Sequence, residues 1–101
     1  MPLHEAVVLN VVGLTPSLIG EHTPNLRRFR EGGFSARLRE PAPAVTCTSQ
    51  STMLTGLSPQ EHGIVGNGLY FRELAEVCFW KQSNALVRGE KVYETLKRRY
   101  P

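Results

Sequence analysis

Aspartate is absent: all nine acidic residues of this 101-residue chain are glutamate, so its own residues cannot assemble a Ser-His-Asp relay. Cysteine is scarce. Cys47 and Cys78 are too few for a disulfide framework, and neither belongs to a C-x-x-C pair that would hold zinc or run thiol exchange. A reducing, cytoplasmic setting is therefore the expectation. No apolar run approaches the roughly 18–20 residues of a membrane helix. The start, "MPLHEAVVLNVVGL", has His and Glu where a secretory leader needs Lys or Arg, and Asn10 interrupts its apolar part. No membrane partner is expected, and the length allows one domain at most.

Twelve Lys and Arg give a formal net charge of +3. Among them are Arg27, Arg28, Arg30, Arg37, Arg39 and the tail Lys97, Arg98 and Arg99, scattered with no nucleic-acid motif beside them. They read as solvated faces, and a nucleic-acid partner is not expected. None lies between Pro41 and Asn67. That stretch, "PAPAVTCTSQSTMLTGLSPQEHGIVGN", is dominated by small, hydroxylated and amide residues and holds one carboxylate.

The remaining patterns place the elements. Residues 6–12, a β-branched run closed by Gly13, predict a buried central strand. "TPNLRRFREGG" predicts a helix, with Thr23 as cap, Pro24 at the first position and Gly32 or Gly33 as the stop. In "FSARLRE" the alternation of Phe34, Ala36 and Leu38 with polar residues predicts a half-buried strand. A short helix follows over Thr48–Leu57, capped by Thr48 or Ser49, with Met53, Leu54 and Leu57 on one side. "HGIVGNGLY" reads as loop and "EVCFWKQ" as a short strand, while "GEKVYETLKRRY" reads as a helix with Val92 and Leu96 inward. Strand alternating with helix predicts the α/β class, a parallel or mixed sheet with helices on its faces.

On this reading Thr46 stands between a strand end and a helix start, where unpaired backbone N–H groups and the helix dipole hold an anion without cationic side chains. A hydroxyl is a poor nucleophile until a base or a metal activates it. Ser and Thr before a helix more often serve as caps. The residues alone leave both roles open.

"TPNLRRFREGG" followed by "PAVTCTSQSTMLTGLSPQEHGIVGNGLY" resembles the N-terminal part of the alkaline phosphatase superfamily, closest to its type I phosphodiesterase and nucleotide pyrophosphatase branch. The resemblance spans roughly residues 6–70. It implies a three-layer sandwich with a mainly parallel sheet, of which residues 1–101 form the N-terminal portion. It also implies a metal-dependent hydrolase of phosphodiester or pyrophosphate bonds, with a small-molecule phosphoester as substrate. The Thr of the family's P-x-x-T turn attacks phosphorus and ligates a metal, a role that falls on Thr46; the Asn closing H-G-I-V-x-N binds a phosphoryl oxygen, a role that falls on Asn67.

The chain departs from the family where an Asp-Gly pair normally ends the first strand, since Val12-Gly13 stands there. Valine coordinates nothing. Asn10, two residues earlier, is the substitute candidate metal ligand. Two zinc ions with three or four protein ligands each exceed what a chain without Asp and with only His4, His22 and His62 supplies. A fragment of a longer enzyme, inactive by itself, is thus expected; the alternative is a catalytically silent relative that binds a phosphorylated ligand or a protein partner. His62 is read as fixing its loop, Cys47 as a small packed residue, and Gly56, Gly63 and Gly66 as turn residues with positive φ. Trp80, Tyr70 and Phe79 are read as core before pocket.

Overall fold

A computed structural model describes residues 5–81 and 83–101, and the chain divides into two compact units at Leu38 and Arg39. The first unit holds a short 3-10 turn, Pro16–Leu18, and helix α1, Pro24–Glu31. Pro24 occupies the first turn of α1 as expected, and the Gly32 N–H closes the helix on the Arg28 carbonyl. Thr23 is the N-cap residue, but its hydroxyl turns backward: it accepts from the Gly20 N–H at 2.9 Å and donates to the Leu18 carbonyl at 2.9 Å. The threonine fixes the turn that delivers the chain into the helix rather than the helix amides themselves.

Residues 6–12 form no strand, contrary to the sequence pattern. Val7, Val8 and Val12 are 82%, 93% and 89% exposed. Nor do residues 34–40, where Phe34 and Leu38 are exposed. β-Branched or alternating residues suit a strand only when neighbouring chains supply its hydrogen bonds. Among the described residues, strand pairing occurs only in the second unit.

That second unit contains α2 (Thr46–Thr55), α3 (Pro59–His62), β1 (Gly68–Phe71), β2 (Glu76–Phe79), a 3-10 turn (Asn84–Leu86) and α4 (Val92–Arg99). The chain is therefore mixed α and β. The described ladder is antiparallel, pairing Gly68 with Phe79 and Phe71 with Glu76. α2 starts two residues before its predicted start, after Val45 in extended conformation, and ends at Gly56 with φ 71°. Gly63 takes φ 82° after α3, whereas Gly66 does not enter the left-handed region.

The interior of this unit explains the hydroxyl-rich composition of residues 41–67. α2 packs on α3 and α4, yet its buried positions are Thr48 and Ser51, while Met53 and Leu54 are half exposed. Small hydroxylated side chains let the helices approach, and they bond to their own helix: Ser51 donates to the Cys47 carbonyl and Thr55 to the Ser51 carbonyl, both at 2.7 Å. Thr48 is fully buried with no partner for its hydroxyl among the described residues. Ile64 is the buried apolar residue beside them. Lys91 is buried too, its ammonium donating to the Asn84 and Val87 carbonyls at 3.1 and 3.0 Å, which ties α4 to the preceding 3-10 turn. Val92 and Leu96 are each 53% exposed instead of inward; the basic residues Lys97, Arg98 and Arg99 occupy the last turn of α4, as its dipole favours. No helix among the described residues is long and apolar enough to cross a membrane.

Candidate active site

Thr46 is the first residue of α2 and is exposed. It lines a hollow of about 310 Å³ together with Cys47, Gln50, Ser51, Trp80 and Lys81. The first amide to close an intrahelical bond is that of Ser49, onto the Val45 carbonyl at 2.9 Å, so the amides of Thr46, Cys47 and Thr48 are the helix's free first-turn donors.

One of those donors is already used, and its partner is one of the two residues singled out by motif. The Cys47 N–H donates to Oδ1 of Asn67 at 2.9 Å across a separation of 20 residues. A backbone amide can only donate, so the atom facing it must be the carbonyl oxygen, which fixes the orientation of the Asn67 amide. Nδ2, with two hydrogens to donate, is left for another acceptor. The Asn67 main chain is held as well, its carbonyl accepting from the Trp80 N–H at 2.9 Å. Asn67 thus sits at the helix end that Thr46 begins.

The electrostatics of the hollow suit an anion. No carboxylate lines it, Lys81 supplies a positive charge, and the N-terminus of the ten-residue α2 adds its partial charge. Sequence reasoning did not find Lys81, which is 35 positions from Thr46 and belongs to no motif. Trp80, Tyr70 and Phe79 are not core residues: they are 53%, 61% and 67% exposed, and Trp80 lines the hollow. Cys47 is half-buried at its rim, free of any disulfide.

His62 has a structural role, as read from the sequence. It is fully buried; Nδ1 accepts from the Ile64 N–H at 3.1 Å, which leaves the proton on Nε2 to donate to the Thr52 hydroxyl at 2.9 Å. Burial pushes its pKa below the ordinary 6.5, with the neighbouring Glu61 carboxylate partly opposing. Glu61 is itself held below the usual carboxylate range by the amide and hydroxyl of Ser58, at 2.8 and 2.7 Å. Both folded-state pKa values lie below their unfolded ones, so both contributions to stability are present at neutral pH and lost on acidification. The urea midpoint is expected to fall as pH drops from about 6.5 through the lowered pKa of His62, and again below about 4.5 through that of Glu61. Equal midpoints at about pH 7 and about pH 5.5 would show a solvated His62.

Asn10, the substitute metal ligand of the sequence reading, is exposed in the first unit. Among the described residues no group of three or more His, Cys or carboxylate side chains converges on a point. The described residues do not make a zinc centre by themselves.

The family described as Type I phosphodiesterase / nucleotide pyrophosphatase matches residues 6–99 of the chain. No solved structure was found to match it.

Proposed function

Since the chain belongs to the type I phosphodiesterase/nucleotide pyrophosphatase family, we propose that it carries the nucleophile and one oxyanion contact of a hydrolase acting on small-molecule phosphodiester or pyrophosphate bonds. The observation that carries this reading is the Cys47–Asn67 hydrogen bond, which brings Asn67 to the helix end where Thr46 is exposed. Thr46 Oγ1 bonds to phosphorus as the leaving-group oxygen departs with its electron pair. The threonine proton passes to solvent water. Nδ2 of Asn67 donates to a phosphoryl oxygen as charge builds on it. Water then cleaves the phosphothreonine, which restores the hydroxyl and frees the phosphoryl product.

Metal dependence is part of the proposal. Zinc would draw on Thr46, with Asn10 a separate candidate ligand, and its remaining ligands would come from further residues of a longer polypeptide whose catalytic domain includes residues 1–101. In that setting the exposed run 6–12 finds its neighbours and becomes a strand of a mainly parallel, three-layer sandwich. The test is release of nitrophenolate from bis(para-nitrophenyl) phosphate by the full natural polypeptide. Turnover restored by zinc after chelation supports the reading, and turnover unaffected by chelation removes its metal-dependent part.

Val12, standing where the family's metal-binding Asp is expected, favours a second reading: a catalytically silent relative that binds a phosphorylated ligand or a protein partner. Metal analysis separates the two. Tightly held zinc in the purified polypeptide contradicts a silent binder.

A further inference from the structure

Among the described residues, two side-chain hydrogen bonds join α2 to residues 59–67, and they pin opposite ends of one stretch. Thr52 meets His62 at 2.9 Å and Cys47 meets Asn67 at 2.9 Å, so the pins lie five residues apart on the helix and five apart on the returning chain. The two spans do not match. Five residues of helix rise about 7.5 Å, whereas five residues of extended chain reach about 17 Å. Covalent length alone therefore leaves Asn67 slack, and other bonds must take that slack up.

His62 does so with three polar atoms. Its Nδ1 takes the Ile64 N–H at 3.1 Å, directly after the left-handed turn at Gly63. Its Nε2 donates to the Thr52 hydroxyl of α2. Its carbonyl accepts the Arg88 N–H at 3.0 Å. Ile64 and Val87, which precedes Arg88, both belong to the lining of the hollow that Thr46 also lines. The imidazole is fully buried, so water does not replace a bond lost there. Only Val65 and Gly66 then separate the anchored Ile64 from Asn67.

We propose that His62 is a positioning residue of this site: by holding Ile64 and α2 at once, it sets Asn67 against the first turn of α2. His62 does not line the hollow, so it acts through Asn67. The consequence for turnover rests on the phosphoryl-transfer reading above, whereas the placement of Asn67 does not. The Cys47 amide has no intrahelical partner, so its protection from hydrogen exchange reports the Asn67 bond.

The test uses the zinc-supplemented full natural polypeptide and cuts the link from either side. Thr52→Val removes the hydroxyl, at a position outside the lining of the hollow, and keeps the side-chain shape. His62→Asn keeps an oxygen for the Ile64 N–H, as in an Asx turn, but is too short for Thr52. Each is expected to speed exchange of the Cys47 amide about tenfold, read by mass spectrometry at single-residue resolution. Each should also lower kcat for bis(para-nitrophenyl) phosphate by about tenfold to a hundredfold with little change in KM. The double variant should lose no more than either single one, and Thr52→Ser should match the wild type. Should His62→Asn fail to fold, Thr52→Val decides alone. Unchanged Cys47 exchange in Thr52→Val overturns the proposal even where the urea midpoint falls, and so does faster exchange with full kcat. Wild-type protein that does not turn over the ester takes down the phosphoryl-transfer reading, and the Cys47 amide still decides the placement of Asn67.

Discussion

Replacing Thr46 by alanine is expected to lower kcat/KM for an aryl phosphodiester by about a thousandfold or more, because the change deletes the atom that bonds to phosphorus. The fold should hardly notice. Thr46 is exposed at the first position of α2, and the capping position is Val45, whose extended backbone is independent of the threonine side chain. The urea midpoint of Thr46→Ala should therefore match that of the wild type. Thr46→Ser keeps the hydroxyl at the same helix end and should retain a substantial part of the activity. Similar rates in wild type and Thr46→Ala would move the nucleophile elsewhere.

The second large effect is expected at Asn67, where a single atom distinguishes structure from chemistry. Asn67→Asp preserves an oxygen acceptor for the Cys47 N–H, and a carboxylate at the start of α2 is favoured by the helix dipole. Stability should stay level or rise. Activity should fall by about a hundredfold to a thousandfold, since the two Nδ2 hydrogens are gone and a negative charge now faces the phosphoryl oxygens. Asn67→Ala should lose a comparable amount of activity and, in addition, some stability through the unpartnered Cys47 amide. A fully active Asn67→Asp protein would reduce Asn67 to a brace for α2.

The contrast between these two positions also shows what the sequence could convey. α1 and α4 were legible because their signals are local: Pro24 and the Gly32-Gly33 pair mark the ends of one, and the basic last turn marks the other. α2 begins two residues before the start its sequence predicts, because Val45 holds the capping position without a side-chain bond where the pattern favours a hydroxylated cap. β1 was missed for a similar reason. The hairpin turn over residues 72–75 places Ala75 at φ 50°, a position where Gly or Asn would have announced the turn.

Sheet pairing was the least legible feature. The alternation of residues 34–38 and the β-branched run 6–12 say which residues share a face, but only a partner chain makes either into a strand. The site divides along the same line. Family resemblance points to Thr46 and Asn67, and in the structure Asn67 bonds to the amide of Cys47, the neighbour of Thr46, across 20 residues. Trp80 and Lys81 enter the hollow through the β1–β2 hairpin, a route that no spacing in the sequence records. Their roles depend on where the hairpin ends, and so they required coordinates.

The most direct measurement of the central claim is mass spectrometry of the full natural polypeptide, acid-quenched during turnover of bis(para-nitrophenyl) phosphate and digested to peptides. The account predicts a phosphoryl adduct on Thr46 that accumulates with the first turnover and is absent from Thr46→Ala. Active enzyme with unmodified Thr46 at every quench time, or an adduct on another side chain, would contradict it.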